Sequence, residues 1–250
     1  MSKGVILCGG TGSRLYPISL VINKHLLPVY NKPMVYHPIE FLRDSGITDL
    51  LIILGGNSVG EMVNLLKDGE ELGVSITYKL QSKAGGIADA LSLARDFVGD
   101  EDFVVMLGDN IIDGAMPNIL NKFNSNRDST VPTGMVFLSP TQRPSSFGVP
   151  TFNSDMTGII KITEKPSAPD TNFAVIGLYI YDKSIWGMID SLKPSNRSEK
   201  EITDVNNFFI NHGVLKYEII NSSWSDAGTI DSLFEASNII KKRDIDAAKK

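Results

Sequence analysis

Cysteine occurs once in the 250 residues, at position 8, and histidine three times, at 25, 37 and 212. One cysteine forms no intrachain disulfide and no cysteine-rich zinc site, and Cys8 falls inside the apolar run Val5-Ile6-Leu7-Cys8, where a thiol reads as a small core residue. The histidines lack metal-ligand spacing and read as helix or rim residues rather than catalysts. No hydrophobic run approaches the roughly 20 residues needed to cross a bilayer. Met1-Ser2-Lys3-Gly4 passes straight into the first apolar run, which leaves no room for a secretory leader. A cytoplasmic protein with no membrane partner is expected. Basic charge is not in excess either: 24 Lys and Arg against 29 Asp and Glu leave a net charge of −5. That balance excludes a broad nucleic-acid surface, so an anionic ligand needs a local cationic pocket. Repeats, low-complexity tracts and linkers are also missing.

What the chain has is ordinary globular material, 42% hydrophobic and 21% charged. A chain of this length buries about 70 to 75% of its unfolded surface without staples, so one compact domain is expected. Short apolar runs at Val5–Cys8, Leu50–Leu54, Val74–Leu80 and Phe103–Leu107 alternate with segments of helical spacing at 35–44, 58–68 and 86–97. Gly46 stands where the first helix should stop. This β-α-β series predicts a mostly parallel sheet covered on both faces. Beyond residue 130 the strands at Gly134–Leu138, Gly148–Phe152, Ile159–Thr163 and Ala174–Tyr181 lie closer together, which predicts mixed or antiparallel pairing. Two helices are expected after them, 202–211 ending at Gly213 and 230–242, with a fraying Lys/Asp/Ala tail.

Ligands of open α/β sheets bind where strands end. After the first run comes Gly9-Gly-Thr-Gly-Ser-Arg-Leu-Tyr-Pro17, whose glycines allow backbone amides to approach an anion. It is not a Walker A loop, because Ser13-Arg14 follows Gly12, and it lacks the third glycine of a dinucleotide fingerprint, because Leu15 stands there. Further along lie Gly108-Asp109-Asn110, Glu164-Lys165-Pro166 and Trp224-Ser225-Asp226-Ala227-Gly228-Thr229. Taken singly, each reads equally as a turn or a helix cap. Taken together, two carboxylates, a glycine loop and cations are what a magnesium-nucleotide site requires.

Through these segments, and through Asn23-Lys-His-Leu-Leu-Pro-Val29, Lys32-Pro-Met34, Gln81 to Ala88, Phe147-Gly-Val149, Ala174 to Tyr179 and Glu201 to Asn206, the chain resembles the sugar-1-phosphate nucleotidyltransferases, closest to their short thymidylyl-transferring forms. The resemblance implies a Rossmann-like three-layer α/β/α nucleotidyltransferase fold with a mostly parallel mixed central sheet and a smaller antiparallel sugar-binding part. It implies one domain over 1–250, with a nucleotide-binding part at about 1–130, a sugar-phosphate part at about 131–229 and a terminal helix at about 230–242. The reaction implied is magnesium-dependent transfer of thymidylyl from dTTP to glucose 1-phosphate, in a homodimer or homotetramer. Leu7, Gly9, Gly10, Thr11, Gly12, Ser13 and Arg14 would hold the nucleotide, with Gln81 reading the base edge and Gly86 leaving the base room. Asp109 and Asp226 would ligate Mg2+. Arg14, Lys24 and Lys165 would be catalytic. The sugar phosphate would be taken by Asn110, Gly148, Glu164, Lys165, Val175, Gly177, Tyr179 and Arg197. Phe147 occupies a position where tyrosine is frequent, and Ala84-Gly85-Gly86 replaces the Pro-Asp-Gly of long-form relatives.

Three competing readings follow from the same residues. Uridylyl or cytidylyl transfer would need few changed base contacts. A silent, nucleotide-sugar-binding regulatory subunit should lack Arg14, Lys24 or one carboxylate, and none is missing. A nicotinamide oxidoreductase fails with the fingerprint.

Overall fold

The computed structural model describes residues 2–195 and 198–249. The strands are β1 (Lys3–Cys8), β2 (Pro28–Val29), β3 (Lys32–Pro33), β4 (Asp49–Gly55), β5 (Ser75–Gln81), β6 (Phe103–Leu107), β7 (Ile111–Ile112), β8 (Thr133–Pro140), β9 (Gly148–Phe152), β10 (Ile159–Glu164), β11 (Phe173–Tyr181), β12 (Val214–Ile219) and β13 (Trp224–Ser225). The α-helices are α1 (Tyr36–Asp44), α2 (Val59–Leu66), α3 (Ile87–Ser92), α4 (Arg95–Val98), α5 (Ile119–Asn124), α6 (Ile185–Ser191), α7 (Ile202–His212) and α8 (Ile230–Ala247). Short 3-10 turns follow β1, among them Ser13–Leu15 and Lys24–Leu26. Two compact units result. The first comprises residues up to Ala84, Met106–Asn118 and everything from Ser222; the second comprises Gly85–Val105 and Ile119–Asn221. No helix among the described residues is long and apolar enough to cross a membrane.

In the first unit β1, β4 and β5 run parallel, and their register sets Cys8 beside Leu54 and Leu54 beside Leu80. Leu50 to Leu54 are at most 1% exposed, so β4 is covered on both faces, the reason its sequence is apolar without alternation. Helix α1 buries Ile39, Phe41 and Leu42, each contributing about 1.5 to 3 kcal/mol of hydrophobic stabilisation. It stops as expected at Gly46, whose φ of +89° is left-handed. The Gly46 N–H donates to Arg43 O (2.9 Å) and the Ile47 N–H to Leu42 O (2.8 Å), the paired bonds of a Schellman ending. The antiparallel pair β7/β13 sets Ile112 opposite Trp224 and Ile111 opposite Ser225. After it Thr229 caps α8 in a reciprocal box with Ser232. Helix α8 runs to Ala247, past the expected end at 242. The expected fraying is absent over 243–247 because Ile240 is buried with Val29, Met34 and Ile111, and Asn31 Nδ2 donates to Asp244 Oδ2 (3.1 Å).

In the second unit β9 pairs antiparallel with β10, β11 antiparallel with β8 and β9, and β12 parallel with β8. The mixed pairing expected beyond residue 130 is therefore present. Tyr181, fully buried, stacks on Phe209 at 5.5 Å and donates to Asn206 Oδ1 at 2.6 Å. The single helix expected over 86–97 is two, α3 and α4, interrupted at residues 93–94. Helix α7 ends at Gly213 as expected, and its φ of −158° is ordinary extended backbone. A Cβ there would lie 2.2 Å from Pro132 O, so close backbone approach is what requires glycine. Helices α5 and α6 and strand β12 carry too little pattern to be expected from sequence. Strand β12 alternates only weakly, and α6 carries Gly187 within seven residues.

Candidate active site

The parallel register of β4 and β5 carries one rung past the end of β1. Gly55 pairs with Gln81, and Gly9 follows Cys8 in line with them. A Cβ on Gly9 would come 3.1 Å from Gln81 Oε1, and one on Gly55 would lie 3.4 Å from Gly9 Cα. The glutamine amide and the glycine-rich loop therefore share one edge of the first unit. Gly10 and Gly12 take φ values of +94° and +64°, which turn the loop before the Ser13–Leu15 turn presents Arg14 to solvent while Leu15 is buried. Ser19 Oγ donates to Gly12 O (2.6 Å) and ties the loop to the next turn. Leu7 sits in β1 beneath it and Thr11 within it. Gly55 and Gly56 join this site without having been expected there. Their signal is a Gly-Gly pair directly after an apolar strand.

The charged groups gather beside the loop in two pairs. Lys24 Nζ donates to Asp109 Oδ2 at 2.5 Å, with only 14% of the lysine side chain exposed. Arg14 Nη1 lies 3.9 Å from Asp226 Oδ2. Asp109 ends the turn after β6, and Asp226 follows β13. Because Ser225 stands opposite Ile111, the β7/β13 pairing brings these two segments side by side. Asn110 Nδ2 donates to Asp109 Oδ1 (3.0 Å), and Trp224 Nε1 donates to Asn110 Oδ1 (2.7 Å). Asn110, a candidate for the sugar phosphate, is 3% exposed, and its amide also orients Asp109. A Cβ on Gly228 would lie 2.8 Å from Arg14 Nη2, the far end of a flexible and mostly exposed side chain.

Electrostatics keep Asp109 ionised. Burial pushes its carboxyl up, but the charge and bond of Lys24, joined by the Asn110 amide, pull harder, and the net shift is below the ordinary 3.8. Beneath the pair, burial and then the charge of Lys24 lower the His25 imidazole to about 3 against the opposing pull of Asp109, so the ring stays neutral. Cys8 is fully buried and its thiol is raised by burial, the inert core residue expected. Among the described residues no group of three or more His, Cys, Asp or Glu side chains gathers to hold a metal.

The second unit holds the other candidates. Gly148 pairs with Glu164 on one side and with Val175 on the other, so three expected positions occupy one rung of β10, β9 and β11. Thr203 Oγ1, from α7, donates to Glu164 Oε2 at 2.7 Å. Thr203 is a site residue that sequence reasoning misses, because its neighbours in the chain give no hint of its partner. Lys165 takes a left-handed φ of +45°, with its N–H donating to Phe147 O (2.9 Å) and its Nζ 3.5 Å from Glu164 Oε1. Gly177 lies where the β11/β8 register shifts, and Tyr179 is buried, its ring 5.9 Å from that of Tyr181. Gly86 also belongs here. A Cβ on it would lie 2.5 Å from Lys200 O, so its glycine is demanded by the backbone of residue 200. Arg197 lies outside the described residues.

A glycine-lined edge with paired cations and carboxylates on a mixed α/β framework defines a class before it defines a protein. Residues 3–243 match the family model for nucleotidyl transferases, and the chain belongs to that family. Its relatives include a glucose-1-phosphate thymidylyltransferase of Mycolicibacterium smegmatis, 38% identical over 96% of this chain and 82% of its own length. One from Xanthomonas campestris pv. campestris is 41% identical over 96% of this chain and 80% of its own length. Among solved structures, a Bacillus anthracis protein assigned as a glucose-1-phosphate thymidylyltransferase, in complex with sucrose, superposes with a TM-score of 0.88 at 46% identity, covering 96% of this chain and 95% of that one. A UDP-glucose pyrophosphorylase complexed with UDP-glucose shares the fold at a TM-score of 0.80 and 24% identity, covering 97% and 99% of the two chains. The fold is the Rossmann-like nucleotidyltransferase fold, a mostly parallel sheet with added antiparallel strands.

Proposed function

We propose that this chain transfers the thymidylyl group of dTTP to glucose 1-phosphate, releasing pyrophosphate and forming dTDP-glucose. One observation carries the reading: beside the glycine-rich loop of a nucleotidyl transferase, Lys24 and Arg14 each stand against one of the carboxylates expected to hold magnesium. Two cations and two carboxylates cancel. Such a site gains the positive charge a triphosphate demands only when a divalent ion joins it. The donors suit magnesium, which binds through one or two carboxylates and completes its shell with phosphate oxygens and water. Bound by Asp109 and Asp226, the ion supplies positive charge at the phosphates.

The amides of Gly9 to Ser13 line the triphosphate, above Leu7, and Gln81 offers the base an amide that both donates and accepts. An anionic oxygen of the sugar 1-phosphate attacks the α-phosphorus in line, and the bond to the bridging oxygen breaks with its electrons passing to pyrophosphate. The attacking oxygen carries no proton, so no general base is needed, and no covalent enzyme intermediate forms. Arg14 and Lys24 hold the charge that develops on the leaving group. For the acceptor, Glu164 takes bonds from hexose hydroxyls within the rung of Gly148 and Val175, near Gly177 and Tyr179. Lys165 and Arg197 meet the phosphate. We assign the chain to a homo-oligomer, dimer or tetramer. We also assign the chain to the cytoplasm.

The test is a matrix of the four NTPs against several hexose 1-phosphates with magnesium, read as pyrophosphate released. dTTP with glucose 1-phosphate should give the highest kcat/KM. Faster reaction with UTP or CTP would reassign the base, and no pyrophosphate with any pair would reject the activity.

A further inference from the structure

We infer that Asn23 is a positioning residue for the reaction, fixing the turn from which Lys24 projects. The inference rests on the reading of Lys24 as a phosphate-binding cation. Lysine has four rotatable bonds and a point charge, so where its ammonium stands depends on how firmly its backbone is held. Lys24 opens a 3-10 turn of three residues, too short to be stable alone. Asn23 precedes it in extended conformation and is 7% exposed. Its Oδ1 accepts the His25 backbone N–H at 3.0 Å, which identifies that atom as the oxygen, so the His25 Nδ1 at 2.8 Å is the protonated ring nitrogen donating to it. Its Nδ2 donates to Gly55 O and Asn57 O, both at 3.2 Å. Two acceptor and two donor positions are all that an amide has. Every one is used inside the protein.

The partners make this more than a helix cap. Gly55 is the residue pressed against Gly9, and a Cβ on Gly56 would lie 3.4 Å from Gly10 O. The Asn23 amide therefore ties the Lys24 turn to the same backbone that supports the glycine-rich loop. The lysine side chain then passes beside Gly12, where an added Cβ would lie 3.4 Å from Lys24 Cβ, and reaches Asp109. Carboxylate, lysine and phosphate loop are held in one frame. A cap that served only stability would need the bond to His25 N and nothing more. The two bonds to the β4 end have no part in capping.

The experiment is a double-mutant cycle on the magnesium-loaded enzyme with Asn23→Ala and Lys24→Ala, with Asn23→Asp as the milder variant. Asp keeps the acceptor for His25 and loses the donors to Gly55 and Asn57. Asn23→Ala should lower kcat by about 10- to 100-fold, the usual cost of misplacing a reacting group, with KM for glucose 1-phosphate unchanged and less loss in Asn23→Asp. In the Lys24→Ala background, Asn23→Ala should cost no further activity, because residues acting as a unit are non-additive. A lower melting temperature with unchanged kcat, or losses that multiply in the double variant, would overturn the positioning role. Should Asn23→Ala not fold, Asn23→Asp and its double variant decide the matter. Full turnover in Lys24→Ala would instead sink the reading of Lys24 on which this one rests.

Discussion

The two units carry their candidate residues by different means. In the first, loops that follow parallel strands carry the chemistry, and its charges are matched in pairs: Lys24 with Asp109, Arg14 with Asp226. In the second, the candidate residues sit on one antiparallel rung, Glu164 beside Gly148 beside Val175, and its carboxylate takes a bond from a neutral hydroxyl, Thr203, with the neighbouring Lys165 ammonium 3.5 Å away. The difference is chemical. A triphosphate and its departing pyrophosphate call for mobile counter-charge that metal and phosphate can redistribute, whereas a hexose calls for fixed acceptors at set spacing. Substitutions in the first unit should therefore fall on kcat, and those in the second on KM for the sugar phosphate.

The severest break in that contrast is expected from Asp109→Asn, which should reduce magnesium-dependent turnover by more than about 10³-fold, comparable to or beyond loss of an oxyanion donor. The variant also leaves the largely buried Lys24 without its partner, so its melting temperature should fall while far-UV circular dichroism keeps the wild-type shape. Turnover within tenfold of wild type would remove Asp109 from the metal assignment.

Arg14→Ala comes next, with kcat lower by roughly 10² to 10³, or about 3 to 4 kcal/mol of barrier. Its guanidinium is 57% exposed and 3.9 Å from Asp226, so stability should hardly change. A steady-state assay paired with thermal melts separates the two effects, and near-normal kcat would exclude Arg14 from the mechanism.

On the sugar side, Thr203→Val removes the donor to Glu164, a bond worth about 1.5 to 3 kcal/mol with its charged acceptor. KM for glucose 1-phosphate should rise by about tenfold with KM for dTTP unchanged. A change confined to dTTP would reverse the assignment of the two units.

The mildest test uses pH. The Asp109 carboxyl lies below its ordinary 3.8, so its contribution to stability is complete above that value and is lost as pH falls through the depressed folded value. Melting temperatures across the acid range should fall more steeply for the wild type than for Asp109→Asn. Equal slopes would deny Lys24 and Asp109 their ionic pairing.

Much of the first unit is legible in the sequence because its signals are local. An apolar run followed by glycines marks a strand end, and Gly46 marks the end of α1 through the φ it must adopt. The second unit is less so. Register between antiparallel strands depends on turns and bulges far along the chain, which is why a family likeness could name Glu164, Gly148 and Val175 while no local pattern could place them on one rung. Two glycines answer to contacts that no local pattern shows. Gly86 yields to the Lys200 backbone and Gly213 to Pro132 O, contacts between segments that no periodicity relates.

By itself the sequence determined the alternation of strand and helix, the burial of Cys8 and the identity of the loop that should meet phosphate, since each follows from the periodicity and side-chain chemistry of neighbouring residues. Only the tertiary structure decided which carboxylate each cation faces, that Asn110 orients Asp109, and that Asn23 joins the lysine turn to the β4 end. Those pairings span segments up to 212 positions apart, from Arg14 to Asp226, and a contact across such a distance is set by how the elements pack.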